Sequence, residues 1–582
     1  MSLPRPLAAL RIGITGHRPH RLPPDLSPLR ARLAETLGAI AVRLEDIRRE
    51  NAGRFGNEAA SLTIVSPLAA GADTLAAEAA LAAGYGLDVC MPFAPERYRK
   101  DFSAEERPVF ERLLARADRV LSLPGERLSD EESYYAIGAT VVEQCDLLLA
   151  IWDGKHSGGR GGTADIVELS LASGTPVLWF DPTGTSAPRM AWPDREGSAR
   201  GLVIVDPALW SEATPDRIEW IVDTLATPPD DTDEQALDRY LTRRSRAWPT
   251  LMAVLGADSW GKALRGRPPD YGDAAIRSSL SAFGNDAASS FLVRRYDVAD
   301  RLATALGQQL RSAFVGNFVL GALAVALALA GLILPDAKPG LVLAELLVIL
   351  LIIVRTRQAT RQGWHRRWID LRNLAEQLRV LPLSASLGNL GLGIGPESLG
   401  WSRWYAQASA RELGMPGGHL TESRIADIRD RAIALVDDQA AYHRSNAARM
   451  GKAERRLRHL GDVLFALTIV CGVAWLALTG LGLGHVKILG TDAAKWTTFF
   501  TALFPAVGAA LYGIRMQGEF AAGQERSQDL ERVLVALRSD MAADAVDDRH
   551  VAARLRQLSA ILGSELDQWR SLSEKRPLEL PG

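Results

Sequence analysis

The chain has 582 residues, with 67 Lys and Arg against 69 Asp and Glu and a formal net charge of −2. Such a length exceeds what one hydrophobic core organises, so several domains are expected. The absence of a basic excess excludes a general nucleic-acid binder, which needs cations to neutralise phosphates. Cys90, Cys145 and Cys471 are scattered without a CxxC spacing and read as reduced thiols. No His, Cys or carboxylate spacing suggests a metal site. At the N-terminus the apolar run carries Arg11 and leads into a strand, unlike a signal-peptide core.

From residue 10 to 207, strand and helix alternate. Strand-like runs are RIGITG (11–16), LTIVSP (62–67), LDVCMPF (87–93), RVLSLP (119–124), DLLLAIWDG (146–154), PVLWFDP (176–182) and LVIVDP (202–207). Continuous apolar strands separated by helices predict an α/β fold, a Rossmann-like doubly wound parallel sheet covered on both faces. Ligands of such sheets sit at the carboxyl ends of the strands. The Gly-rich loops GITGHR, SPLAAGAD and WDGKHSGGRGGT all fall there. Residues 1–207 are therefore expected as a ligand-binding domain and 208–290, with its PPDDTDEQ and GRPPDYGDAA loops, as a connector.

The second half is predicted to be all-α and membrane-embedded. Uncharged or nearly uncharged runs cover 312–334, 341–354, 462–484 and 496–514, together four spans in two hairpins. Pro505 predicts a kink in the last. Arginines such as Arg301, Arg311, Arg355 and Arg361 flank the first hairpin and Arg455, Arg456, Arg458 and Arg515 the second, while the hairpin tips are poorer in cations. The positive-inside rule then places both termini on the cytoplasmic side of a multi-pass inner-membrane protein. Residues 291–390 and 441–545 read as one unit used twice, each a charged helix, a two-span hairpin and a second charged helix. Between them lies a helical connector (391–440), and after them a helical tail (546–582). Alanine stripes at Ala322, Ala326 and Ala330, and at Ala502, Ala506 and Ala509 with Gly513, suit close helix packing and a homo-oligomer. Asn317 and Glu345 are the polar residues that stand out within the spans and are candidates for lining a pore; Glu345 is also near enough to a hairpin tip to snorkel.

Three loops supply the candidate ligand contacts. Gly13, Thr15 and Gly16 end the first strand, followed by His17 and by Arg18, whose guanidinium can fork onto a phosphate. Gly71, Ala72 and Asp73 open an Ala-rich helix whose N-terminus favours an anion, with Asp73 as a cap. Asp153 ends the fifth strand, placed to hold a ribose hydroxyl or to cap a turn. Gly158, Gly159, Arg160, Gly161, Gly162 and Thr163 form a phosphate-type loop ahead of a helix that carries Glu168. It is neither a Walker A loop nor the Gly-x-Gly-x-x-Gly fingerprint. Tyr134 and Tyr135 are placed to stack on a base or to pack.

Taken together, GITGHR, SPLAAGADTLAAEAA, MPF and WDGKHSGGRGGTADIVE resemble the SLOG superfamily, which includes Lonely-guy phosphoribohydrolases, the DprA core and the N-terminal region of TRPM channels. The resemblance covers residues 8–207 and implies binding of a nucleotide-derived ligand, of the NAD or ADP-ribose type or a cyclic nucleotide. Over 291–545 the hairpins with flanking helices resemble SLATT domains, twice over. That likeness implies a membrane effector of bacterial antiphage conflict. Lonely-guy enzymes carry a PGGxGTxxE motif whose glutamate acts on the glycosidic bond. Here that register falls on Ile166, with Asp165 and Glu168 flanking it. A one-residue shift turns a helical side chain by about 100°, so binding is expected more than catalysis. Alternatives are a membrane-tethered nucleotide hydrolase using Asp165 or Glu168, and a scaffold that recruits a partner.

Overall fold

The computed structural model describes residues 3–125, 129–156, 159–192, 204–229, 237, 245–265, 286–392, 400–483, 486–488 and 490–573. Its first half is built on strands β1 (Ala9–Gly16), β2 (Ser61–Ser66), β3 (Gly86–Met91), β4 (Arg119–Ser122), β5 (Leu147–Ile151) and β6 (Val177–Phe180). These pair in parallel in the order β6-β5-β1-β2-β3-β4. Two short strands, β7 (Arg189–Ala191) and β8 (Ser211–Glu212), continue the sheet antiparallel beyond β6. The run LVIVDP does not form a strand where it is described: residues 204–205 form a turn, and Pro207–Leu209 is a 3-10 helix.

Alternation explains why the central strands are apolar at every position. Leu147, Leu149 and Ile151 of β5 belong to the core shared with helices α1 (Ser27–Glu50) and α2 (Ala72–Ala82). Leu148 and Ala150 face the opposite core, with Val141 of α3 (Asp130–Glu143) and Ile166 of α4 (Thr163–Ala172). Helix α5 (Pro215–Ala226), within the expected connector, buries Ile218, Ile221, Val222 and Leu225.

The helical half comprises α6 (Asp286–Ile333), α7 (Lys338–Arg361), α8 (Trp364–Ser386), α9 (Trp401–Leu413), α10 (Glu422–Gly480), α11 (Ala493–Gln517), α12 (Phe520–Ala543) and α13 (Asp548–Ser573). Among the described residues four helical stretches, in α6, α7, α10 and the run from α11 through α12, are long and apolar enough to cross a membrane. Their large side chains turn outward: Leu343, Leu347, Phe465, Ile469, Val473 and Leu476 are all exposed. Leaving such a side chain in water forgoes about 1.5–3 kcal/mol each, so this surface is suited to a hydrocarbon medium.

Both hairpin units share a local device. After α7 the chain turns through Gly363 (φ +56°) into α8, and after α11 through Glu519 (φ +47°) into α12. Each turn is followed by a buried aromatic residue, Trp364 or Phe520. A left-handed Glu costs about 1 kcal/mol, an expense that the buried ring beside it offsets. The hairpins touch where Gly513 of α11 meets Phe318 of α6, at a spacing that leaves no room for a Cβ. Asn317 is buried and donates to Thr356 Oγ1 at 2.9 Å, tying α6 to α7. Within the chain its position is that of a contact between α6 and α7. Glu345 is half-buried on α7.

The segment expected as a connector, 391–440, is joined to the sheet. Strand β9 (Gly418–His419) adds to β4 in parallel, and the Leu420 amide donates to Ser122 O at 2.9 Å. Thr421 then caps α10 by accepting from the Arg424 amide. Helix α9 closes the amino edge of the sheet. Arg411 Nε lies 2.9 Å from Asp146 Oδ1, and Arg11 Nη2 2.8 Å from Asp88 Oδ2; all four side chains are buried. Trp404 Nε1 donates to Ala226 O, and Glu412 accepts from both Arg295 and the Leu7 amide.

Candidate functional site

Strand order reverses between β1 and β5, so the crevice at their carboxyl ends is the switch point where doubly wound sheets bind ligands. Two glycines shape one wall. A Cβ on Gly16 would lie 2.4 Å from that of Ala72, and one on Gly71 (φ +106°) 2.6 Å from His17 O. The β1 loop thus nests against the start of α2, and the Ala72 amide donates to His17 O at 3.0 Å. That amide, expected to meet a ligand, is already used. Gly13 lies within β1, where a Cβ would press on Cys145 Sγ at 2.7 Å, so it serves packing against α3. Thr15 is half-buried, paired in register with Ala150.

Two charge clusters stand on this edge. In the first, His17 is buried and its Nε2 accepts from the Asp153 amide at 3.1 Å. Burial and then Arg21 hold its pKa below the usual imidazole value, although the Asp153 carboxylate works the other way. The same Nε2 also lies 3.1 Å from Asp153 Oδ1, so the ring is turned inward onto Asp153 rather than towards the crevice. Burial opposes the charge of Asp153, but the Lys155 amide, His17 and Arg21 together hold its pKa below the ordinary carboxylate value. Arg21 Nη2 pairs with its Oδ2 at 2.9 Å.

In the second cluster Arg18 is half-buried, its guanidinium 5.5 Å from the centre of the Tyr134 ring. Among the described residues no carboxylate forms an ion pair with it. Burial works against its charge, yet Tyr98, Asp73, Tyr134 and Asp101 keep its pKa above the usual value. Asp73 does not cap α2; it is buried, and its carboxylate accepts from the Ala69 amide at 3.3 Å. Burial pushes its pKa up to about 7, against the pull of Arg18 and of that amide. Tyr134 donates its hydroxyl to Asp101, and Phe93 packs edge-on to Tyr134 with centroids 6.0 Å apart. A cation without an ion-pair partner among the described residues, an aromatic wall and a carboxyl poised near neutrality are thus gathered on one edge.

The glycine loop is ordered from within. Gly161 (φ +84°) comes so close to α3 that a Cβ would lie 2.8 Å from the Tyr135 amide nitrogen. Its own amide donates to Asp165 Oδ2 at 2.8 Å. Asp165 is thereby committed to the loop. Gly162 caps α4 in extended conformation, its amide donating to Gly159 O, and Thr163 opens the helix. Arg160 is exposed, 5.1 Å from the Tyr135 ring centre. Ile166 is buried against Gly138, where a Cβ would meet its Cδ1 at 2.3 Å. The register that holds the glutamate in Lonely-guy enzymes is thus a helix–helix contact here. Glu168 is exposed. Gly158 lies outside the described residues.

A cleft of about 540 Å³, lined by no residue of either cluster, is not disclosed by the sequence. Pro92, Gly125 and Ser133 of the sheet edge form one wall, with Glu422 and Ile425 of α10 and the Ala545–His550 turn between α12 and α13 forming the other. A second cleft of about 380 Å³ lies near the membrane-facing surface between α10 and α11. A third, of about 350 Å³, joins Tyr135 and Arg160 to Arg549 and Arg556 across α3. Partners from residues 422 and 545–556 have no signature near the glycine loops, and only the fold brings them together. Tyr98 and Asp101, in the short helical turns after MPF, lacked the glycine signal that marked the loops. No family model matches the chain, and no curated protein matches it.

Proposed function

We propose that the chain is a membrane-embedded effector in which a SLOG-like domain binds a nucleotide-derived ligand at the carboxyl edge of its sheet and two SLATT-like hairpins respond by breaching the bilayer. The ligand class is an NAD- or ADP-ribose-like molecule or a cyclic nucleotide, with its phosphate on Arg18 and its base against Tyr134. The setting that the resemblance suggests is bacterial antiphage defence, with the α/β domain on the cytoplasmic side and the chain working as a homo-oligomer.

One observation supports this most: the cleft at the sheet edge is walled by Glu422 and Ile425, and the helix they open continues into the third apolar span. Its other wall, Ala545–His550, follows directly on the helix that leaves the fourth. Arg18 and Tyr134 do not line this cleft, but Pro92 and Ser133, next in sequence to Phe93 and Tyr134, do; a ligand whose affinity differs between two arrangements of these helices shifts the hairpins by that difference.

The test uses the full chain in dye-loaded liposomes, with a panel of ADP-ribose, NAD and cyclic nucleotides added outside and recovered afterwards for mass spectrometry. Dye release with an intact ligand, abolished by Arg18→Ala, is the expected result. A ligand recovered cleaved, without release, favours the hydrolase instead. That second reading rests on Asp73, whose buried carboxyl near neutrality suits a general acid, since Asp165 and Glu168 are placed elsewhere.

A further inference from the structure

The second hairpin carries an open groove between α10 and α11 of about 380 Å³. Its α10 wall runs from Leu457 to Thr468, about 16 Å at 1.5 Å per residue. That is close to half of the roughly 30 Å hydrocarbon core, one leaflet deep. Helix α10 changes character along it: Leu457 is buried, whereas Leu460 and Phe465 are exposed. Two glycines, Gly461 and Gly508, line the groove, and a Cβ on either would meet nothing within 4 Å. Within the chain, then, no close helix contact accounts for their small size.

Charge gathers at one end. Arg515 Nε lies 2.7 Å and Arg458 Nη2 3.2 Å from the same Glu454 oxygen. A guanidinium offers five N–H donors, so each arginine keeps others for a second acceptor. Asp462, exposed, stands one helical turn beyond Arg458. Phe465 and Phe504 line the apolar end.

We propose that this groove holds one phospholipid of the arginine-side leaflet, with its phosphate on Arg458 and Arg515 and an acyl chain over Gly461 and Gly508. Asp462, one turn nearer the apolar end than Arg458, lies on the acyl side of that phosphate, so the recognised group is the phosphate and not the headgroup beyond it. The length of the groove favours a lipid over a helix from a second copy, which would pack through both leaflets. This inference rests on the helices crossing a membrane and is independent of the ligand-sensing role.

Native mass spectrometry of the full chain in dodecyl maltoside, titrated with phosphatidylethanolamine or phosphatidylglycerol, tests it. The wild type is expected to retain one phospholipid of either headgroup per chain. Gly508→Leu, which fills the groove without a clash, is expected to weaken retention tenfold or more, and Arg458→Gln by a similar factor. Gly472→Leu, at another open glycine outside the groove, is expected to change nothing and controls for added bulk. Equal retention by Gly508→Leu, Arg458→Gln and the wild type overturns the proposal. Unchanged lipid retention in Gly508→Leu with loss of the oligomer also overturns it and assigns the groove to a second copy.

Discussion

The two edges of the parallel sheet carry similar charges arranged to opposite ends. At the amino edge Arg11, Asp88, Asp146 and Arg411 are all buried and paired, and Gln144 supplies further acceptors to Arg11. At the carboxyl edge Arg18 is half-buried with no ion-pair partner among the described residues, and Asp73 is buried with one amide hydrogen bond. A network of ion pairs holds two halves of a chain together, even with Gln144 Nε2 buried and unpartnered within it, whereas a cation without an ion-pair partner is available to a ligand. Burial alone does not separate these roles; ion pairing does.

Substitutions at the amino edge should have the largest effect. Arg411→Met leaves the Asp146 carboxylate buried without its cation and should cost about 3–5 kcal/mol, read as a fall in the thermal midpoint of the full chain. The double variant Arg411→Met with Asp146→Leu should recover much of that loss. At the carboxyl edge Arg18→Met should leave the midpoint within about 1 kcal/mol, because no ion pair is broken. Its effect belongs in binding: an anionic ligand should weaken roughly 10- to 100-fold, the worth of one or two charge-assisted hydrogen bonds, by calorimetry.

A pH series sharpens the contrast further. Asp73, with its pKa pushed up to about 7, holds its proton more tightly in the folded chain than in the unfolded one. Its contribution to stability is therefore complete below about pH 4 and is lost as pH rises towards 7. Asp73→Asn should flatten the thermal midpoint across that window. An anion on Arg18 should also bind more weakly as pH passes 7, because the ionised Asp73 repels it. The smallest effect is expected from Arg160→Ala: the side chain is exposed, so stability should hold within about 0.5 kcal/mol and ligand affinity should change only a few-fold in the same titration.

Much of the carboxyl edge was legible in the sequence because it is local. Strand runs such as RIGITG and DLLLAI announce themselves by continuous apolarity, and the glycines that follow mark the turns. Even there the roles shifted. Gly13 and Gly16 look alike in sequence, but one packs on Cys145 and the other brings the loop onto α2. The amino edge was not legible, since Arg411 and Asp146 are 265 residues apart and neither residue carries a motif. For the same reason a two-residue strand, Gly418–His419, read as part of a connector. The Ile166 register was readable from both directions, and its burial against Gly138 gives the physical reason that no carboxylate sits there.

Helix α10 is 59 residues long, which at 1.5 Å per residue makes a rod of about 90 Å. It begins next to the edge strand β9, and its last third is the third apolar stretch. A rod pivoted near one end is a lever: a tilt of about 5° at the sheet carries the far end some 8 Å sideways, over half the width of a helix. The stiffness of an unbroken hydrogen-bonded helix makes that gain available without any large rearrangement at the cleft itself.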